Sequence, residues 1–143
     1  MVRKIVVEGK PRGKGRPRFS RRGKYIHVYT DKETLSYEKK IVSEWVKKYG
    51  KGNGFRDKPV AVYIKAYMYI PKNTSKKKTE KMLAGLEKPT KKPDIDNIGK
   101  VVMDALNKIA FDDDSQVIKL LVEKVYGEEP RVEITIGEIE YVE

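Results

Sequence analysis

Hydrophobic and polar positions along the chain follow two different periods, and the changes of period divide it into elements. Ile5-Val6-Val7 is a short β-branched run closed by Gly9, and Tyr25-Ile26-His27-Val28-Tyr29 reads as a second short strand. From Val60 to Ile70 the period is two. Val60, Val62, Ile64, Ala66, Met68 and Ile70 fall on one side, and Ala61, Tyr63, Lys65, Tyr67 and Tyr69 on the other, as in a strand with one core face. A helical period follows Thr30-Asp31-Lys32-Glu33, which has the form of a capping box with Thr30 at the N-cap. That helix is predicted to run to about Tyr49, with Leu35, Val42, Trp45, Val46 and Tyr49 on its buried face and Ile41 at the margin. A second helix is predicted from about Asp96 to Lys108. Ile98, Val101, Val102, Ala105, Leu106 and Ile109 form its apolar stripe, opposite Asp96, Lys100, Asp104 and Asn107. Val117–Tyr126 and Val132–Ile136 are two further strands, separated by a turn from Gly127 to Pro130. The order β, β, α, β, α, β, β predicts one α+β domain over residues 1–143, with two main helices packed on a mixed β-sheet.

Two segments lie outside these periods, and both are basic. Residues 9–24 carry Lys10, Arg12, Lys14, Arg16, Arg18, Arg21, Arg22 and Lys24 and no acid, and their glycines and prolines preclude a regular helix, which predicts a loop or arm. Residues 72–92 are rich in lysine, including Lys76, Lys77 and Lys78. Apart from a short amphipathic turn at Met82-Leu83 they have little apolar surface to anchor them, and they are expected to be mobile without a ligand.

Composition extends that picture to the whole chain. There are 32 Lys+Arg against 21 Asp+Glu, a net charge of +11, and excess positive charge attracts polyanions, so nucleic acid is the first partner to consider. The chain has no cysteine, which excludes disulfides, thiolate zinc sites and cysteine nucleophiles and suits a reducing cytoplasm. No stretch approaches the ~18 apolar residues of a membrane span, so the chain reads as soluble and untargeted. The single histidine, His27, lies inside a short strand, where a structural role is expected. Gly13-Lys14-Gly15 is too short for a P-loop or a dinucleotide fingerprint.

Against this basic background stands an acidic constellation: Asp94 and Asp96 in Lys92-Pro93-Asp94-Ile95-Asp96-Asn97, then Asp104, then Asp112-Asp113-Asp114. Asp94 and Asp96 sit at the entry to the second helix, where two carboxylates can share a hard cation, and Asp114 on the following turn is a candidate third donor. Plainer roles compete with this one. An Asp-x-Asp before a helix is also an ordinary cap, an Asp run is also a solvated turn, and Lys100 is spaced for ion pairs with both Asp96 and Asp104. What favours chemistry is the setting, since cleaving a phosphodiester needs cations to hold the polyanion and carboxylates to hold a metal.

These residues resemble the RusA family of Holliday-junction endonucleases. The resemblance is carried by Lys92 through Asn97, Lys100, Asp104-Ala105-Leu106-Asn107 and Asp113-Asp114-Ser115-Gln116. Towards the N-terminus it continues in Gly9-Lys10-Pro11, Lys14-Gly15-Arg16-Pro17-Arg18-Phe19 and Tyr29-Thr30 through Tyr37-Glu38. It implies a homodimeric nuclease of bacterial or phage origin that requires Mg²⁺ or Mn²⁺, binds four-way junctions and makes paired symmetric nicks. It further implies Asp94, Asp96 and Asp114 as metal ligands and Lys100 as the catalytic lysine. Asp112 departs from the family pattern, which often has a lysine there. This leaves the third ligand between Asp113 and Asp114, with Ser115-Gln116 favouring Asp114. Asn97 and Asp104 are expected to orient Lys100 and a ligand carboxylate. Lys14, Arg16, Arg18, Arg21, Arg22, Lys76, Lys77 and Lys78 are expected on phosphates, and Phe19 against an exposed base. The alternatives are a non-catalytic basic DNA-binding protein and a general metal-dependent flap or RNA nuclease.

Overall fold

The computed structural model describes residues 1–139. Its centre is a four-stranded mixed sheet in the order β1-β6-β4-β5, made of β1 (Val2–Glu8), β4 (Val60–Met68), β5 (Val117–Tyr126) and β6 (Arg131–Glu138). β6 runs antiparallel to both β1 and β4, while β5 is the parallel edge strand beside β4. The fold is α+β with a mixed sheet, as the element order predicts.

The period-two pattern decides which face is covered. Val60, Val62, Ile64, Ala66 and Met68 are buried, as are Val132, Ile134 and Ile136 from β6 and Ile5 and Val7 from β1. Against this face lie α1 (Lys32–Tyr49) and α3 (Ile95–Leu106). The opposite face is polar: Arg131 and Lys4 pair with Glu133, Lys65 pairs with Glu123, and the Arg131 guanidinium lies 3.6 Å from the centre of the Tyr67 ring. Tyr63, which donates to Glu123, belongs to this cross-strand network.

Four expectations change. The cap of α1 is Asp31, not Thr30: its carboxylate accepts hydrogen bonds from the Thr34 amide at 3.0 Å and the Thr34 hydroxyl at 2.6 Å. The buried stripe of α1 is rotated to Thr34, Tyr37, Ile41 and Trp45, while Leu35 is 43% exposed. Leu35, Val42 and Val46 line a shallow surface groove beside Asp104 and Ala105. Within the basic arm, β2 (Arg18–Arg22) pairs antiparallel with β3 (Tyr25–Tyr29) in a separate two-stranded hairpin. Within the lysine-rich segment, Ser75 caps a helix, α2 (Lys76–Leu83), that buries Met82. No helix is long and apolar enough to cross a membrane among the described residues.

Asp31→Ala is predicted to lower stability by about 1 kcal/mol at neutral pH and Thr30→Ala by less than about 0.5, read from urea unfolding. The hydrogen bonds from Thr34 hold the Asp31 carboxyl below the ordinary 3.8. Its contribution is therefore complete above that value and disappears as pH falls through the lower folded-state pKa. Equal losses for the two variants would contradict the cap assignment.

Candidate active site

Helix α3 presents the acidic residues because its other side is committed to the core. Ile98, Val101, Val102, Ala105 and Leu106 are buried against the sheet and α1. Burying each large aliphatic chain is worth about 1.5–3 kcal/mol, against a few tenths for a surface ion pair, so burial sets the rotation of the helix. Asp94, Asp96 and Lys100 are left exposed. Asp94 is the N-cap and accepts from the Asn97 amide at 3.3 Å, and Asp96 lies in the first turn, where the helix dipole favours negative charge. The cap occupies only part of Asp94, and among the described residues neither aspartate pairs with a cation.

Two anchors hold the approach to α3. The Lys124 ammonium donates to the carbonyls of Lys91 at 2.8 Å and Pro93 at 3.1 Å, and the Lys92–Pro93 bond is cis. Lys124 faces the helices because it pairs with Ala66 across the parallel strands. A lysine at a core-facing position of β5 was the available signal, and sequence reasoning passed over it.

At the opposite end of α3, the Asn107 side chain accepts from the Asp114 amide at 3.1 Å and so ties the acidic turn to the helix C-terminus. Asp113 is occupied there. It caps the 3₁₀ turn Asp114–Gln116 and accepts from the amide and hydroxyl of Ser115, which hold its pKa below 3.8. Gln116 completes the capping box and reaches the Phe55 and Lys58 carbonyls. Asp114 is exposed and makes no ion pair among the described residues. Of the two neighbours, Asp113 is used by the fold and Asp114 is left available.

The two carboxylate sets do not meet within one chain. A 12-residue helix is about 18 Å long, and Asp94 and Asp114 lie at its two ends. Among the described residues no three carboxylate or imidazole groups converge to hold a metal. Asp114 on the turn after the helix is therefore not brought beside Asp94 and Asp96 within this chain. The donors themselves are of the right kind, since Mg²⁺ is commonly held by one or two carboxylates together with water and substrate oxygens.

Other expected roles separate. Lys100 forms no ion pair with Asp96 or Asp104, so the surface ladder is absent. Asp104 does not orient Lys100; it pairs instead with Lys14 at 3.1 Å. Lys14 also contacts Glu38 at 2.6 Å and has a side chain only 17% exposed, so its ammonium serves the protein rather than the solvent. Arg16 lines the groove containing Lys14 and Asp94, and Arg18, Arg21 and Arg22 project from the hairpin. Phe19 is 69% exposed on the hairpin face shared with Val28, while His27 stacks on Tyr29 on the other face. Lys76, Lys77 and Lys78 occupy the first turn of α2, and Lys78 pairs with Glu87 at 3.5 Å.

A two-layer α+β chain that shows unpaired carboxylates at a helix entry beside a basic hairpin is a protein suited to work on phosphodiesters. The chain matches Endodeoxyribonuclease RusA over residues 8–137, a span that includes both the hairpin and the acidic turn, and it belongs to the RusA family of endodeoxyribonucleases. It is also 44% identical to the Uncharacterized protein YqaN of Bacillus subtilis (strain 168), over 95% of this chain and 96% of that protein.

Asp96→Asn and Asp114→Asn are predicted to change unfolding free energy by less than about 0.5 kcal/mol, because neither carboxylate has a structural partner. Asp113→Ala is predicted to be the more destabilising change, because it removes the cap of the 3₁₀ turn. Chemical denaturation of the three variants checks this, and a large loss in Asp114→Asn would make it the structural member of the pair.

Proposed function

We propose that this protein is a divalent-metal-dependent resolvase of four-way DNA junctions that works as a two-fold dimer, with Asp94 and Asp96 of one copy meeting Asp114 of the other. The observation that carries this reading is the placement of Asp94 and Asp96 at one end of α3 and Asp114 at the other, none of them in an ion pair among the described residues. Two copies related by a two-fold axis can bring unlike ends of the helix together twice, forming two equivalent sites. A junction needs two symmetric nicks, and such a dimer supplies two sites by the same operation. The unpaired edge of β5, with exposed Ile118, Leu120 and Leu121, offers apolar surface for assembly.

Asp94, Asp96 and Asp114 would hold Mg²⁺ or Mn²⁺, which when bound polarises the phosphodiester and lowers the pKa of coordinated water. The chain's own groups do the rest. Lys100, exposed along the same helix and in no ion pair among the described residues, is free to stabilise negative charge developing on phosphoryl oxygens. Asn97 closes the first turn onto Asp94 and so limits its rotation. Arg16, Arg18, Arg21 and Arg22, with Lys76 and Lys77, hold the DNA backbone without reading its sequence.

A panel of four-way junction, flap, duplex and RNA, incubated with and without Mg²⁺, tests the activity. Junction cleavage only with metal is expected, and equal cleavage of all four would favour a general nuclease. Asp94→Asn, Asp96→Asn and Asp114→Asn are each expected to abolish nicking while junction binding survives. Mixing Asp96→Asn with Asp114→Asn tests the shared site. In mixed dimers one site carries both substitutions and the other carries neither, so exchange restores about a quarter of the wild-type sites. No restoration after verified subunit exchange would return all three ligands to one chain.

A further inference from the structure

The basic hairpin lacks support of its own. Every residue of Tyr25–Tyr29 is exposed, and an isolated two-stranded hairpin is marginally stable in water. Its direction relative to Asp94 and Asp96 must therefore be set where the arm leaves the body of the protein. Residues 13–15 make that connection. The Lys14 amide donates to the Asn97 carbonyl in the first turn of α3 at 2.9 Å, and the Gly15 amide donates to the Thr34 hydroxyl in the first turn of α1 at 3.1 Å. The Lys14 side chain then bridges the same two helices through Glu38 on α1 and Asp104 on α3.

The glycines on either side admit this approach. A Cβ on Gly13 would lie 2.9 Å from the Asn97 Cβ and 3.1 Å from the Pro93 Cβ, and one on Gly15 would lie 2.3 Å from an Asp31 carboxylate oxygen. A side chain at Gly13 would press on the entry to α3, and one at Gly15 on the cap of α1. The Lys14 charge is also spoken for. Burial opposes it, but hydrogen bonds to Glu38 and Asp104 outweigh that effect and raise its pKa above 10.5. A cation held between two carboxylates has little left to offer a phosphate.

We infer that Gly13-Lys14-Gly15 is a clasp that fixes the direction of the basic hairpin relative to Asp94 and Asp96, and that Lys14 is a positioning residue rather than a phosphate contact. The inference rests on the reading of those aspartates as part of the cleavage site. It makes the hairpin and the entry to α3 one rigid unit, so that DNA held by the arginines arrives in register with the carboxylates. Loosening the clasp leaves the DNA-contacting cations in place and removes their aim.

The test uses the full chain, whose lack of cysteine allows clean spin labelling at Lys24→Cys on the hairpin turn and Lys47→Cys on α1. Electron–electron distance measurements, with labelled protein diluted into unlabelled, should give one narrow distribution in the parent and a broadened one with Lys14→Met. Gly13→Ala should broaden it too, providing a second variant if Lys14→Met folds poorly by circular dichroism. Cleavage of saturating four-way junction with Lys14→Met should fall at least about tenfold, as expected when reacting groups are misaligned. The salt dependence of junction binding should keep its wild-type slope, whereas removing a phosphate contact with Arg16→Gln should lower the slope by about 0.9. A narrow, unshifted distribution in both clasp variants, or a Lys14→Met slope lowered like that of Arg16→Gln, would overturn the clasp. If the parent cleaves no DNA, the nuclease reading fails and the distance measurement alone still decides the clasp.

Discussion

Ile98, Val101, Val102, Ala105 and Leu106 are buried between the sheet and α1, and that stripe permits α3 only one rotation about its axis. Everything proposed for the site follows from this. The N-cap carboxylate of Asp94 and the first-turn carboxylate of Asp96 must face outward, Lys100 must lie along the same exposed side, and Asn107 must meet the acidic turn at the far end. The strands position the helix from below: β5 holds the preceding loop through Lys124, and Gln116 ties the following turn to the carbonyls of Phe55 and Lys58. Both ends of α3 are thus fixed by hydrogen bonds to backbone carbonyls.

A rigid helix about 18 Å long keeps its ends apart, and this constraint has a consequence for assembly. Bending α3 to join Asp94 to Asp114 would expose an apolar stripe worth several kcal/mol of burial. The proposed second copy would bring unlike ends together without deforming either helix. In the proposed dimer, dependence on assembly would suit paired cuts, because a lone chain would carry no complete site.

What the sequence made legible is what burial dictates. The alternation in Val60–Met68, the stripe on α3 and the alternation in β6 can be read because a covered face leaves an apolar period behind. The stripe of α1 was misread because two of its buried members, Thr34 and Tyr37, carry polar atoms. Thr34 is inside because its hydroxyl bonds Asp31 and the Gly15 amide, partners that no period reveals. The strand Arg18–Arg22 has no core face at all and is defined only by its pairing with β3. The acidic residues could be picked out by type and spacing. Their separation to opposite ends of a helix, and the pairing of Asp104 with Lys14 rather than Lys100, depend on contacts distant in the chain.

The cations divide by what surrounds them, which net charge cannot express. Lys4, Lys14, Lys124 and Arg131 are engaged with carboxylates or carbonyls and help hold the fold. Arg16, Arg18 and Arg22 form no ion pair among the described residues. Helix α2 sharpens the distinction. Lys76, Lys77 and Lys78 fill its first turn, which contains no acid, so three positive charges oppose the positive end of the helix dipole. Each such placement is unfavourable by a few tenths of a kcal/mol or more, and a helix buried chiefly through Met82 has little to offset it. Lys78 has a carboxylate partner in Glu87, but local stability does not explain Lys76 and Lys77. The phosphate contact proposed for Lys76 and Lys77 would reverse the sign of that interaction.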